Sequence, residues 1–186
     1  MNNPNNKLLT MSLDELWQLF PIDLVPHQES WSLQFLNEKE KILNFLNHDD
    51  IFQISHIGSS AIKGIMAKPI VDIMIELNEN VELVKVKEVF EANNYLCMSA
   101  SEKRIVLNKG YTVDGFAKEV FHIHLRYKND NDEIYFRDYL NENEAIAKEY
   151  EKLKIDLANK YRNNRDLYTE LKSDFVNKYT KIAKTR

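Results

Sequence analysis

The sequence predicts an α+β or mixed α/β fold with a helical C-terminal part. Three observations carry this. Val71, Ile73, Ile75 and Leu77 alternate with Asp72, Met74 and Glu76, which is the period of a strand with two unlike faces. Phe121, Ile123, Leu125 and Tyr127 alternate in the same way with His122, His124 and Arg126. Beyond Asn129 the apolar residues recur every three to four positions to the end of the chain, the period of amphipathic helices. Helix, strand, helix, several strands and then helices is the order of an α+β or mixed α/β domain.

Taken in order, residues 1–10 are Asn-rich and read as a flexible tail. Residues 11–186 read as one domain whose helical part begins near residue 131. Ser12 and Glu15 have the spacing of a capping box and open a short helix that Pro21 stops. A short extended piece covers residues 23–26. Trp31, Leu33, Phe35, Leu36, Ile42, Leu43, Phe45 and Leu46 mark a helix over residues 29–46. Residues 51–57 form a strand that runs into the turn Gly58-Ser59-Ser60, and residues 70–77 form the next strand. A helix over 81–93 ends near Asn93-Asn94, and strands follow over 95–98 and 104–109. Turns are predicted at Gly110 and at Asp114-Gly115, then a strand over 118–127. Helices over 133–141, 143–161 and 165–182 complete the chain.

The composition narrows the function. The chain has 186 residues, 44% of them hydrophobic and 11% aromatic, which excludes a disordered protein. Asp and Glu number 29 against 25 Lys and Arg, a net charge of -4. That balance speaks against a general nucleic-acid coat protein and leaves room for a local basic pocket. There is no long apolar run and no basic-then-apolar leader, so a cytoplasmic, non-membrane protein is expected. Cys97 is the single cysteine; it can form no internal disulfide and no thiolate zinc cluster.

The strongest local signal is His56-Ile57-Gly58-Ser59-Ser60 followed by Lys68-Pro69-Ile70-Val71-Asp72. A glycine lets backbone N–H groups approach a phosphate, and the hydroxyls of Ser59 and Ser60 add donors. A carboxylate on the next strand can hold a divalent metal against the same phosphate. The plain alternative is a Gly-Ser turn with an unrelated aspartate nearby. Asp72 sits on a strand too apolar to lie at a sheet edge, and a buried carboxylate needs a partner. That partner is either structural, such as Lys68, or functional, such as a metal. His122 and His124 share one strand face, their rings about 7 Å apart, and Arg126 continues the row. Such a row binds metal or phosphate, supplies a base near neutral pH, or simply faces solvent. Tyr168, Lys172 and Phe175 share a helix face, and Lys172 either leans into a cleft or reaches for water.

The run from His56 to Ile73, with Gly58, Ser59, Gly64, Ala67, Lys68, Pro69 and Asp72 in place, resembles the signature of the GrpB (UPF0157) family. Three further blocks agree: Gly110 to Arg126 with its His122-Ile123-His124 strand, Phe136-Arg137-Asp138-Tyr139-Leu140, and Arg165 to Lys172 with Tyr168. The resemblance covers about residues 22–180; Lys63 departs from it where the family usually has proline. It implies the nucleotidyltransferase superfamily, and so an α+β, nucleotidyltransferase-like mixed β-sheet flanked by helices, with C-terminal helices; in that superfamily a Gly-Ser turn holds triphosphate. There an Asp-x-Asp/Glu strand and a third carboxylate hold two Mg²⁺. Gly58, Ser59 and Asp72 fall where that pattern wants them. Met74 stands in place of the second carboxylate, and His122 or His124 in place of the third. Glu76 lies about 13 Å from Asp72 along the strand, too far to share its metal.

Three functions follow as expectations. One is transfer of a nucleotidyl group from an NTP to an acceptor the sequence does not name. Asp72, His122 and His124 would serve catalysis and the metal, and Gly58, Ser59, Ser60, Lys68 and Lys172 the phosphates. His56, Arg126, Arg137 and Tyr168 would line the rest of the cleft. The second is a nucleotide or phosphometabolite binding protein without catalysis. The third gathers His56, Asp72, His122 and His124 around a transition metal such as Zn²⁺ or Mn²⁺; Mg²⁺ or Mn²⁺ is the metal the first would use.

Overall fold

The computed structural model describes residues 8–186. Strands β1 (Ile51–Ile57), β2 (Val71–Leu77), β3 (Leu96–Ala100), β4 (Arg104–Thr112) and β5 (Gly115–Tyr127) form one mixed sheet in the spatial order β1-β2-β5-β4-β3. β2 and β5 run parallel; every other neighbouring pair is antiparallel. β2 is second from one edge and is buried along almost its whole length, Asp72 being the one half-buried residue in it.

The alternation in the sequence divides the sheet into two faces. Val71, Ile73, Ile75, Phe121, Ile123, Leu125, Ile105 and Leu107 are buried on one face. Helices α2 (Ser30–Leu43) and α3 (Leu83–Ala92) cover it with Trp31, Ile42, Val86 and Phe90. The other face carries Asp72, Met74 and Glu76 level with His122, His124 and Arg126. Helices α4 (Asp132–Glu142), α5 (Glu144–Lys160), α6 (Arg165–Glu170) and α7 (Ser173–Lys184) follow. They build a second core in which Phe136, Tyr139, Leu140, Tyr150 and Tyr179 pack against Ile62 and Ile65. A third cluster joins Ile22 to Leu157, Ala158 and Tyr168. Among the described residues no helix is long and apolar enough to cross a membrane.

Local chemistry explains most boundaries. Helix α1 (Leu13–Leu19) opens with the expected capping box, Ser12 and Glu15 satisfying one another's backbone N–H groups. Of the expected tail, residues 1–7 lie outside the described residues; Leu8–Thr10 form a 3-10 turn with Leu8 buried. The turn expected at Gly110 is instead a bulge within β4. At its φ of +90° a Cβ would meet the Glu119 carbonyl oxygen at 2.3 Å, so only glycine fits. The chain reverses at Val113-Asp114, where the Thr112 hydroxyl donates to the Gly115 carbonyl and accepts from the Asp114 N–H. The helix expected over 165–182 is broken at Leu171-Lys172 into α6 and α7.

One buried carboxylate fastens the helical layer to the sheet. Glu38 of α2 is fully buried. It accepts hydrogen bonds from the Tyr95 hydroxyl at 2.6 Å and the Lys109 ammonium at 2.6 Å, with Lys41 at 2.9 Å on the other oxygen. Burial alone pushes its carboxyl up, but these three donors outweigh that and hold it below the ordinary value. Glu38→Ala strands the Tyr95 hydroxyl and removes the partner of Lys109. It is expected to cost about 3 kcal/mol in urea denaturation, whereas Lys41→Ala, at a half-exposed position, costs under about 1 kcal/mol.

Candidate functional site

The parallel pairing of β2 with β5 sets Asp72 level with His122, with His124 two residues further along the same face. Both imidazoles reach one oxygen of the carboxylate: His122 Nδ1 lies 3.1 Å and His124 Nε2 3.3 Å from Asp72 Oδ1. Ligand atoms from these three side chains all lie within 4.8 Å of one another. On the far side of His122, Nε2 is 2.8 Å from the Tyr111 hydroxyl, which accepts from Arg165 Nη2 at 2.9 Å. Guanidinium only donates, so the Tyr111 proton goes to His122 Nε2. His122 Nδ1 then carries its proton toward Asp72, the tautomer this network assigns. Burial holds His122 below its ordinary pKa despite the aspartate. Burial pushes the Asp72 carboxyl up, but the hydrogen bonds and charge of the two histidines overcome this and hold it well below the usual range.

The Gly58 turn closes on this carboxylate. Gly58 has φ +71°, and a Cβ there would sit 2.3 Å from Asp72 Oδ2. Its first role is therefore to leave room for Asp72, beyond any approach to a ligand. The turn and Asp72 form part of the wall of a cavity of about 320 Å³. Lys68, Lys154, Arg165 and Lys172 line it as well. Burial, with neighbouring cations adding to it, lowers Lys68 and Lys154 to about 7 and Lys172 to about 8. The Lys172 ammonium lies 4.3 Å and that of Lys68 5.8 Å from the Tyr168 ring centroid, so one buried tyrosine carries two cations. Lys154 donates to the Met66 carbonyl, and burial pushes the Tyr150 hydroxyl up to about 12.

Residues 21–182, most of the chain, match the family model described as GrpB protein. The chain belongs to the GrpB family. It is 38% identical to the glutamate-rich protein GrpB of Alkalihalophilus pseudofirmus over 82% of this chain and 90% of that protein. It is 30% identical to UPF0157 protein YqkA of Bacillus subtilis over 95% of this chain but 51% of YqkA, which is about twice as long. The crystal structure of conserved protein GrpB from Enterococcus faecalis aligns with a TM-score of 0.73 at 28% identity, covering 87% of this chain and 96% of that one. The mixed sheet with its flanking helices is therefore a GrpB fold.

In this GrpB protein Asp72, His122, Gly58, Ser59, Ser60, Lys68, Lys172 and Tyr168 all line the one cavity, with His124 hydrogen-bonded to its aspartate. Three expected residues do not join them. His56 is level with Ile73, so it lies on the opposite face from Asp72; the residue level with Asp72 is Ile57. Its ring stacks on Phe35 at 5.2 Å, its Nε2 meets the Ser60 hydroxyl at 3.1 Å, and burial lowers it to about 4. That removes His56 from the expected metal cluster. Arg126 lies one pleat past His124 and meets Glu133 at 3.6 Å and Asp130 at 3.9 Å, outside the cavity lining. Arg137 donates to the His56 carbonyl at 2.6 Å and ties α4 to the end of β1. Glu76 accepts from the Asn129 N–H and the Asn131 amide, each at 3.1 Å, and so fixes the link from β5 to α4.

Sequence reading did not place Tyr111, Tyr150, Lys154 or Arg165 in the site. A signal existed for Lys154: it interrupts the buried stripe Ala147, Tyr150, Leu157 of α5 and is itself 1% exposed. Tyr111 carries no such mark, because its role depends on the strand pairing of β4 with β5.

The contact of Gly58 with Asp72 is testable by a double-mutant cycle. Gly58→Ala is expected to cost about 2–3 kcal/mol in thermal or urea denaturation. In an Asp72→Gly background, which also removes the Asp72 Cβ that the new methyl would meet at 3.0 Å, the clash is gone and about 1 kcal/mol, the left-handed backbone alone, remains. Equal costs in both backgrounds would show that the two residues do not touch.

Proposed function

We propose that this GrpB protein binds a nucleotide or a similar polyphosphate in the cavity beside Asp72 and transfers a nucleotidyl group from it to an acceptor. The observation that carries the reading is the convergence of Lys68, Lys154, Arg165 and Lys172 with the Gly58-Ser59 turn and Asp72. The one other carboxylate in the lining, Glu133, pairs with Arg126. Lysines brought near neutrality by burial and by one another regain full charge when a polyanion sits among them. A ligand rich in negative charge thus balances the four cations of the lining.

Asp72, His122 and His124 would hold a divalent ion, which would neutralise charge on the transferred phosphate. One carboxylate with two imidazoles favours Mn²⁺ over Mg²⁺, since Mg²⁺ prefers oxygen donors. In the transfer an acceptor oxygen or nitrogen bonds to the α-phosphorus. The bond from that phosphorus to the β-phosphate oxygen breaks, pyrophosphate leaves with the electron pair, and the acceptor proton goes to solvent. Lys68, Arg165 and Lys172 hold the departing phosphates, and the Ser59 hydroxyl and backbone orient them.

A second reading, binding without transfer, draws support from Met74. It is fully buried where a two-metal site would have its second carboxylate, and Glu76 is committed to Asn129 and Asn131. Incubation with each labelled NTP, Mn²⁺ or Mg²⁺ and a broad acceptor panel separates the two. Pyrophosphate release that is lost in Asp72→Asn supports transfer. Nucleotide binding that persists in EDTA with no release supports the second reading, and absence of both defeats the site itself.

The lysines also predict a pH dependence. Their folded-state values lie below the unfolded value of 10.5, so the unfolded chain binds more protons between about 7 and 10.5. Their contribution to the ligand-free protein's stability therefore rises with pH across that window. Anion binding runs the other way. Sulfate, whose charge is constant over this range, is expected to bind more tightly as pH falls from about 9 to about 7, with proton uptake seen by calorimetry in two buffers. Lys172→Met is expected to weaken sulfate or tripolyphosphate binding roughly tenfold.

A further inference from the structure

A second and larger cavity, of about 720 Å³, lies next to the anion pocket. Its size falls within the range of small-molecule sites. Leu13, Leu16 and Trp17 of α1, with Phe20, form one wall, and Met98 of β3 part of another. Leu13 is 61% and Met98 52% exposed, so large apolar side chains stand uncovered at this place. Apolar surface gathered into a concave wall is the form of a binding site for an apolar body.

Two details connect the cavity to the site. Arg165 and Thr169 line both compartments, and Tyr111, which lines the larger one, reaches through its hydroxyl to His122. The partition between them is thus the Arg165–Tyr111–His122 hydrogen-bond chain. The second detail is Asn108. It lies level with His122, lines the apolar cavity and is 5% exposed, yet its Oδ1 accepts no hydrogen bond. Tyr111, Arg165, Asp166 and Thr169 bring further polar groups to that lining, but the Asn108 oxygen is the one among them buried without a partner, and a turn of its amide toward the cavity lets a ligand N–H or O–H supply one.

The geometry points to this compartment as the binding site of the acceptor: an aromatic or aliphatic body with a hydroxyl or amine N–H that donates to Asn108. That this body is the acceptor rests on the anion-pocket reading above; that the compartment binds such a body does not. The arrangement places the apolar ligand on one side of the Tyr111–Arg165 partition and the phosphates on the other. Selectivity then comes from two independent terms, apolar contact with α1 and one buried hydrogen bond.

The test uses two neutral fluorescent probes of similar shape on the full chain: N-phenyl-1-naphthylamine, which carries an N–H, and 1-phenylnaphthalene, which does not. Wild-type protein is expected to bind the amine saturably, with energy transfer from Trp17, and roughly fivefold more tightly than the hydrocarbon. Leu16→Trp, which fills the cavity from a partly exposed helix position, is expected to weaken both probes roughly tenfold or more. Asn108→Leu is expected to abolish the preference for the amine. Should that variant not fold, the preference shown by the wild type still decides the donor requirement. No saturable binding by the folded protein, or wild-type affinity in Leu16→Trp, overturns the proposal; equal affinity for the two probes overturns the role of Asn108. Tripolyphosphate binding measured on the same sample reports the anion pocket alone, so failure of either compartment is seen separately.

Discussion

The parallel register of β2 and β5 is the constraint on which the site depends. It brings Asp72 level with His122 and lets both His122 and His124 reach the same carboxylate oxygen. Half-buried and beside apolar neighbours, this carboxylate stays ionised because two imidazoles contribute hydrogen bonds to it. A slip of β5 by one residue would turn His122 and His124 to the apolar face and Ile123 and Leu125 to the face of Asp72. The α2 and α3 layer, packed on Val71, Ile73, Ile123 and Leu125, rules out that shift. The chemistry of one face is therefore held in place by the packing of the other.

Asp72 in turn dictates what surrounds it. The carboxylate occupies the volume that a side chain at residue 58 would take, so the turn after β1 must be glycine. The turn and the C-terminal helices then enclose a pocket where cations outnumber free carboxylates. Lys68 comes from the segment before β2, Lys154 from α5, Arg165 from α6 and Lys172 from the break before α7. Tyr168, fully buried between two of the lysines, supplies a π face where a carboxylate would have neutralised them. Such an arrangement keeps the cations close without cancelling the charge that an anionic ligand needs.

Much of this was legible in the residues, and for identifiable reasons. β2 and β5 announce two unlike faces through strict alternation, so the sharing of one face by His122 and His124 follows from local geometry alone. The capping box at Ser12 and Glu15 is equally local. His56 was misplaced because it precedes Gly58-Ser59-Ser60 in the chain, and nearness along the chain suggests nearness in space. The antiparallel register of β1 with β2 sets it level with Ile73 and turns it away. Arg126 was misplaced by one pleat: sharing a face with His124 does not bring it to the same pocket. Gly110 reads as a turn but forms a bulge, since its conformation answers to the Glu119 carbonyl across the hairpin.

By itself the sequence determined the class of fold, the two faces of the central strands, the family, and the residue types from which an anion site can be built. These follow from periodicity and from short runs whose partners lie within a few positions. Only the tertiary structure decided that Lys154 and Arg165 join Lys68 and Lys172, that Tyr111 links Arg165 to His122, and that an apolar cavity under α1 adjoins the pocket. Apart from Tyr111 and His122, 11 residues apart in one hairpin, these contacts join segments about 50 to 150 residues apart, whose meeting is fixed by the register of paired strands and the seating of helices in a shared core. No local pattern in the chain encodes that register, because the free energy that selects it comes from surfaces buried far along the sequence.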